Sequence, residues 1–461
     1  MQQNISPWIE ELNRDRIRSA LRAHMTGEVA VIGGGIAGMT TAYYLLKETK
    51  KHITLLEADQ IAHGASGHNG GQAVDYFERP FSDIAREFGL KMAAAGQIAI
   101  QSSWVLLKDI LRKTKIAVPF DTFTGYAGCT NLAQLEQHLK TKLLKAKGGV
   151  RVYPTYVAST AVLPARFYKK FGHLFQIVSP NKVLSLLETD NTDYIAALSS
   201  QKGCLNSALF VEKLAEYLQR TYPERFLLLE HTPVKHVQLR KDLVCLHTSR
   251  YQYLCERVVL CTNGFEHFSI TSDLVPGMNR RFHRMITGLV GYMAGYVESR
   301  TKKPTAISYF PKKSAGQADD PYVYLTRRNV GKSKSLVCIG GPQRLYERDT
   351  RYSRHYAYSQ KATKEIQRFL RETLPHKSQQ PEQFDYHWHG IMGYTPNNLR
   401  CIGPDIADTR LLYNLGCNGI GLLPSIYGAQ KVSRFVQNKK LPKSIFDAIY
   451  QFRGHYLPEY Q

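Results

Sequence analysis

The stretch VAVIGGGIAGMTTAYYLLK, residues 29–47, constrains the fold of this chain more than any other. A short β-type run, VAVI, meets Gly33, Gly35 and Gly38 in the spacing G-x-G-x-x-G. Apolar residues then recur at three- and four-residue steps (Ile36, Met39, Tyr43, Leu46), the period of a buried helix face. A second β-type run, HITLLEAD, follows and ends on Glu57, nineteen residues after Gly38. Strand, turn, helix and strand within about thirty residues form a βαβ unit, which requires a parallel sheet. In such a unit the first glycine makes the tight turn, the second admits a pyrophosphate to the backbone, and the third lets helix and strand pack closely. The terminal acid accepts hydrogen bonds from ribose hydroxyls. Gly33, Gly35, Ile36, Ala37 and Gly38, with Glu57 and the adjoining Ala58, are therefore read as a dinucleotide cradle, its phosphates facing the helix N-terminus. An acid at Glu57 repels a 2′-phosphate, which argues against NADP.

The loop HGASGHNGGQ, residues 63–72, follows the acid strand directly. Its glycines, Gly70 and Gly71 among them, allow close backbone approach, and Ser66 and Asn69 can donate to a pyrophosphate or a ring system. Near the C-terminus the turn GCNGIG again precedes a helical pattern. Gly416, Asn418, Gly419, Ile420 and Gly421 can aim helix N–H groups at a developing anion. No acid-ending strand follows this turn, so it is not a second dinucleotide site. One such site, and not two, means that electrons come from an organic substrate rather than from NAD(P)H.

These segments together resemble the D-amino-acid-oxidase/glycine-oxidase superfamily of FAD-dependent amine oxidoreductases, and ASGHNGGQ is most similar to the gamma-glutamylputrescine oxidase-like branch. The resemblance implies an α/β fold: a Rossmann-type FAD-binding domain built from separated segments, with an inserted mixed β-sheet substrate domain. It places Val234, in HTPVKHV, over the adenine, and Thr262, Asn263 and Gly264, in VVLCTNG, at a second pyrophosphate-side turn. WHGIMGYTPNNLRCIG matches a flavin-side element through Trp388, Gly390, Thr395, Ile402 and Gly403. Asn397 stands there for the usual aspartate and Arg400 for the usual proline, departures that bear on substrate identity more than on flavin binding. His68 replaces the branch's arginine; some relatives carry a covalent flavin on a histidine near this position, and a non-covalent flavin is the expectation here. YVYLTRRN resembles the strand bearing the carboxylate-binding arginine of glycine oxidase. Arg327 is the implied anchor, with Arg328 the fallback because a one-residue slip flips a strand's face. Tyr322, Tyr324 and His389 are the implied pocket residues.

The expected boundaries are an arm at 1–26, with Trp8, Ile9 and Leu12 on one side; FAD-binding segments at 27–115, 203–275 and 381–461; and substrate-domain segments at 116–202 and 276–380. A possible strand pair is expected near VPFDTFTGYAGCT. Eight cysteines show no C-x-x-C or metal-ligand spacing and lie mostly in apolar runs, which points to buried thiols in a reducing cytoplasm. No metal site is expected. A net charge of +23 is dispersed along the chain rather than blocked, so specific nucleic-acid binding is not expected, while the basic surface suits peripheral contact with an anionic membrane. The implied reaction takes a small amine or amino acid as substrate, with O2 or another electron acceptor. Alternatives are a quinone-linked dehydrogenase, a tRNA-modifying oxidase and a non-catalytic flavoprotein.

Overall fold

The computed structural model describes residues 4–14, 16–265, 267–312, 322–345, 352–374 and 383–452. Of the basic stretch 344–356, residues 346–351 lie outside the described residues.

Three sheets organise these residues. The first begins with strand β1 (Val29–Ile32), which runs through the opening glycines into helix α1 (Ile36–Glu48) and returns as β2 (Ile53–Leu56). Strands β3 (Phe226–Leu229), β4 (Arg257–Leu260), β5 (Cys401–Pro404) and β6 (Leu411–Leu415) complete it, and helix α2 (Leu422–Val436) follows β6. Their order is β5-β6-β4-β1-β2-β3. Every pairing is parallel except β5 with β6. All four residues of β1 and of β2 are buried, as expected for strands covered on both faces. Helices α1 and α2 lie against each other beneath the sheet, and Leu423, Ile426 and Ala429 share one core with Met39, Ala42 and Tyr43.

A five-stranded sheet carries the meander His236–Leu239, Val244–His247 and Gln252–Cys255, flanked by Met25–Thr26 and Ser269–Ser272. The third sheet has ten strands and is mixed. Its long members are Phe120–Cys129, Ala196–Leu205, Thr287–Ser299, Val323–Val330 and Lys334–Leu345.

Three sequence expectations change here. Residues 120–129 form one continuous strand instead of a pair. Gln72–Val74 and Tyr386–Tyr394 belong to the large sheet, although the expected boundaries placed both in FAD-binding segments. Met25–Thr26, at the end of the expected arm, pairs with Tyr253–Leu254 in the five-stranded sheet.

The arm itself packs inward. Ser6 caps the short helix Pro7–Glu10, Trp8 is fully buried, and its Nε1 donates to Asn69 O at 2.6 Å. Seven of the eight cysteines are buried, and none is in a disulfide. No described helix is long and apolar enough to cross a membrane.

Candidate active site

A continuous cavity of about 640 Å³ runs along the C-terminal ends of β1, β2 and β4 and out to the large sheet. This is where a doubly wound sheet binds ligands. The βα turn at its floor is built by backbone geometry. Gly33 has φ +108°, and a Cβ there would stand 2.7 Å from Cys261 O. A Cβ on Gly38 would stand 1.8 Å from Gly33 O, so the third glycine serves the closure of turn on helix. Gly35 is different: its φ is an ordinary −85°, and an added Cβ would meet only Ser66 Oγ, at 2.9 Å. Its missing side chain keeps space open instead of relieving strain. No side chain of its own caps α1; Ile36 N donates to Ser66 Oγ at 2.9 Å.

Glu57 sits beside this turn. Gly34 N donates to its Oε2 at 2.7 Å and Asp59 N to its Oε1 at 2.9 Å. Burial raises the carboxyl's pKa and outweighs those two donors. Ala58 and Val234 line the same end of the cavity. Thr262 lines its middle, and the Thr262 Oγ1 is buried with no hydrogen-bond partner. Buried polar atoms of this kind call for a missing ligand group. His68 also lines the cavity, its Nδ1 3.1 Å from Gly64 O. Burial lowers its pKa to about 4, so the ring is neutral at pH 7. Gly390 lines the cavity from the strand Tyr386–Tyr394, and Gly419, Ile420 and Gly421 line the far side, at the N-terminus of α2.

Several predicted residues, Asn69 and Asn263 of the lining among them, commit side-chain atoms to the scaffold. The Asn69 amide is spent on its own loop: Nδ2 donates to Ala65 O, Ser66 O and Ser207 Oγ, and Oδ1 accepts from Gly71 N. Asn263 Oδ1 accepts from Gly393 N and Cys417 N, tying β4 to the C-terminal turn. Asn418 Oδ1 accepts from Thr395 N at 2.8 Å. Gly71, Gly264 and Gly416 stand outside the cavity lining. Side chains there would meet the Trp8 ring, Met392 backbone and Thr395 Cγ2 at 2.4, 3.0 and 2.5 Å. Gly390 gives room to the His68 backbone, whose oxygen would lie 2.5 Å from a Cβ.

The arginine expectation fails on strand alternation. Tyr324 faces the cavity, and Arg327, three residues on, faces the opposite side of the sheet. There its Nε donates to Glu298 Oε1 at 2.9 Å and its Nη1 pairs with Glu188 at 2.9 Å. Arg328 shares the face of Tyr324 but lies past the cavity, over the Trp8 ring and paired with Glu11. His389 fails for the same reason, since Gly390, Met392 and Tyr394 line the cavity from its strand. The buried His389 ring is held between Tyr352 Oη at Nδ1 (2.9 Å) and Tyr356 O at Nε2 (3.0 Å). Of the predicted pocket residues, Tyr322 and Tyr324 remain. Tyr324 Oη donates to Met293 Sδ at 3.5 Å. Sequence reasoning missed Tyr76, Glu78, Tyr292, Met293 and Gln343, which the structure adds to the lining.

The family described as "DAO: FAD dependent oxidoreductase" matches residues 28–434, and the chain belongs to it. It is similar to the Escherichia coli gamma-glutamylputrescine oxidoreductase, 38% identical over 93 residues, which is 20% of this chain and 22% of that protein. It is also similar to the Haemophilus influenzae probable oxidoreductase OrdL, 37% identical over 257 residues, 55% of this chain and 52% of that one. The chain thus spans from about a fifth to about a half of the curated relatives it matches. Among solved structures, L-proline dehydrogenase from P. horikoshii superposes with TM-score 0.66 at 17% identity, covering 93% of this chain and 98% of that one. Glycine oxidase from Bacillus cereus does so with TM-score 0.62 at 17%, covering 90% and 96%. These likenesses establish the fold.

The residues present fit FAD. The open space above Gly35, the unpartnered Thr262 hydroxyl, the glycine-lined N-terminus of α1 and the acid at Glu57 make a cradle for a dinucleotide. The fit agrees with the chain's membership of the FAD dependent oxidoreductase family.

Proposed function

We propose that the chain oxidises the C–N bond of a small amine or amino acid. The observation that carries this reading is the continuity of the cavity: one space joins the Gly33–Gly38 turn and Glu57 to a pocket walled by Tyr76, Tyr292, Met293, Tyr322 and Tyr324. When bound, FAD supplies a two-electron acceptor that takes a hydride from the carbon beside the substrate nitrogen and passes the electrons on to O2, giving peroxide. The imine left behind is hydrolysed by water to a carbonyl compound and free amine.

The chain's own residues do the holding. Gly33, Gly35, Ile36, Ala37, Ser66 and Thr262 are assigned to the pyrophosphate, Glu57 to the adenosine ribose, and Val234 to the adenine. Gly419, Ile420 and Gly421 present the N-terminus of α2, whose dipole favours negative charge, to the far end of the cavity. His68 stays neutral and hydrogen-bonded to its own loop, which supports a non-covalent flavin. The tyrosine walls restrict water around the reacting carbon and limit its orientation, the contribution that positioning makes to a hydride transfer.

The test is anaerobic mixing of FAD-loaded protein with amino acids, N-methyl amino acids and alkylamines while the flavin absorbance is followed. At least one panel member bleaches the flavin, and admitting O2 restores the colour with one peroxide per turnover. A flavin that no amine or amino acid reduces sinks the reading.

A further inference from the structure

The pocket has a sign. Glu78 lines it half-buried, beside the C-terminal turn: a Cβ on Gly419 would come within 2.8 Å of Glu78 Cγ. Tyr322 Oη donates to Glu78 Oε1 at 2.8 Å, and no ion pair among the described residues involves this carboxylate. Burial raises its pKa, opposed by the Tyr322 hydrogen bond and by the charge of Lys202. Lys202 lies behind Ser308, donating to its Oγ at 3.3 Å, and is not part of the lining. The rings of Tyr76, Tyr322 and Tyr324 share this end of the cavity. Gly340 on the neighbouring strand leaves the space that the Tyr324 ring fills, and Gly341 leaves space for the Tyr322 backbone carbonyl. A carboxylate among aromatic faces is the chemistry that holds an organic cation.

The cationic partner that the carboxylate of an α-amino acid needs is missing from the same place among the described residues. Arg79 lines the cavity but donates to Asn397 O and pairs with Glu87. Arg354 pairs with Asp59 at the adenosine end, and Arg400 is held by Asn414 and Gly416 O. Arg327 and Arg328 are tied in ion pairs away from the cavity.

We propose that Glu78, braced by Tyr322 and walled by Tyr76 and Tyr324, receives the ammonium group of the substrate, so that the chain takes cationic alkylamines in preference to carboxylate-anchored α-amino acids. This rests on the amine-oxidising reading above. It also names Glu78 as the residue that sets the charge preference of the pocket.

The test uses two ions of one shape and opposite charge, tert-butylammonium and pivalate. Neither carries a hydrogen on the carbon next to its charged group, so neither can be oxidised. Binding to FAD-loaded protein is measured by calorimetry at about pH 8, where the amine is charged. Tert-butylammonium binds at least tenfold tighter than pivalate. Glu78→Gln weakens it by about tenfold to a hundredfold, the span of a charged hydrogen bond, with FAD content and melting temperature kept. Tyr322→Phe weakens it less, and carries the test if Glu78→Gln does not fold. Pivalate binding as tightly as the ammonium, neither ion binding, or a folded Glu78→Gln with unchanged affinity overturns the proposal. The two readings fail separately. Glu78-dependent ammonium binding with a flavin that no amine reduces removes the oxidation reading and keeps the subsite. A flavin reduced by α-amino acids, with no preference for the cation, removes the subsite and keeps the oxidation.

Discussion

The glycine motif separates into a part that holds the fold and a part that holds the cofactor, and Gly35→Ala against Gly38→Ala tests the division. At Gly35 the backbone is extended (φ −85°, ψ −170°), which alanine adopts freely, and the new methyl meets only Ser66 Oγ at 2.9 Å. Swinging that hydroxyl aside breaks its bond from Ile36 N, a loss of about 1 kcal/mol. The reduced freedom of the unfolded chain returns about 0.4–1 kcal/mol, so the apoprotein should stay within about 1 kcal/mol of wild type. At Gly38 the methyl meets backbone on both counts, Gly33 O at 1.8 Å and Gly33 C at 3.0 Å, and nothing flexible can yield. Overpacking of that kind costs about 1–3 kcal/mol or more. For 461 residues, at roughly 2 cal/mol/K per residue, each kcal/mol moves the melting temperature by about one degree. Calorimetry of the apoproteins should thus find Gly35→Ala within about one degree of wild type and Gly38→Ala lower by about one to three degrees or more. FAD titration followed by protein fluorescence should find the affinity of Gly35→Ala reduced about tenfold or more, because its methyl fills the approach to the turn. If Gly35→Ala melts as early as Gly38→Ala and binds FAD normally, the division is refuted.

Arg327→Ala should behave as a stability variant. Removing the guanidinium leaves Glu188 and Glu298 without the partner that now pairs both, a loss of about 2–3 kcal/mol that shows in the melting temperature. The KM for any carboxylate-bearing substrate should not move; a raised KM at unchanged stability would restore the anchor role. At the start of β1, partial burial opposes ionisation of Glu28. The Lys51 ammonium at 2.6 Å and the His52 amide and ring outweigh it, drawing the carboxyl from 4.5 down to about 2. A carboxyl lowered in the fold stabilises above its unfolded pKa and loses that contribution as the pH falls toward about 2. The melting-temperature gap between wild type and Glu28→Gln should be open at neutral pH and close through this window. A gap that is constant or widens in acid contradicts the assignment.

What the sequence disclosed follows from range. The β1–α1–β2 unit is readable because each of its requirements falls within thirty consecutive residues: buried strands, a turn that excludes Cβ atoms, an acid at the second strand's end. The faces of long strands are not. In Val323–Val330 and Tyr386–Tyr394 a single residue decides between cavity and far side, and that is set by pairing with distant strands. Arg327 and His389 were lost to this ambiguity. Asn69 lines the cavity, but a side-chain amide beside glycines can serve a ligand or its own loop, and the loop contacts that take up its donors form only when Trp8, Ser207 and Gly71 close around it. Glu78 had no local signal at all. YFERP carries no period, and the residue acquires its setting only when segments near 78, 308, 322 and 419 meet.

The two departures at 397 and 400 take up scaffold contacts in the structure. They were expected to bear on the substrate, yet neither lies among the tyrosines that wall the substrate end. Asn397 Oδ1 accepts from Leu399 N at 2.9 Å and from Thr395 Oγ1 at 3.2 Å, so the amide oxygen ties down the turn before β5. Arg400 turns inward where proline would only stiffen the chain. Its Nε donates to Asn414 Oδ1 at 2.7 Å and its Nη2 to Asn414 O at 2.8 Å, while Asn414 Nδ2 reaches Thr41 on α1 and Ser425 O on α2. Burial lowers its pKa to about 10, which still leaves it charged at neutral pH. The replacement thus exchanges a rigid turn for a cationic brace joining β6, α1 and α2, the elements whose ends converge on the cofactor side of the cavity. A buried cation held only by neutral partners gains most from an anion nearby, and the pyrophosphate assigned to that side is one. The replacement at 400 therefore acts within the scaffold that joins β6, α1 and α2, and the charge preference proposed for the substrate rests on Glu78.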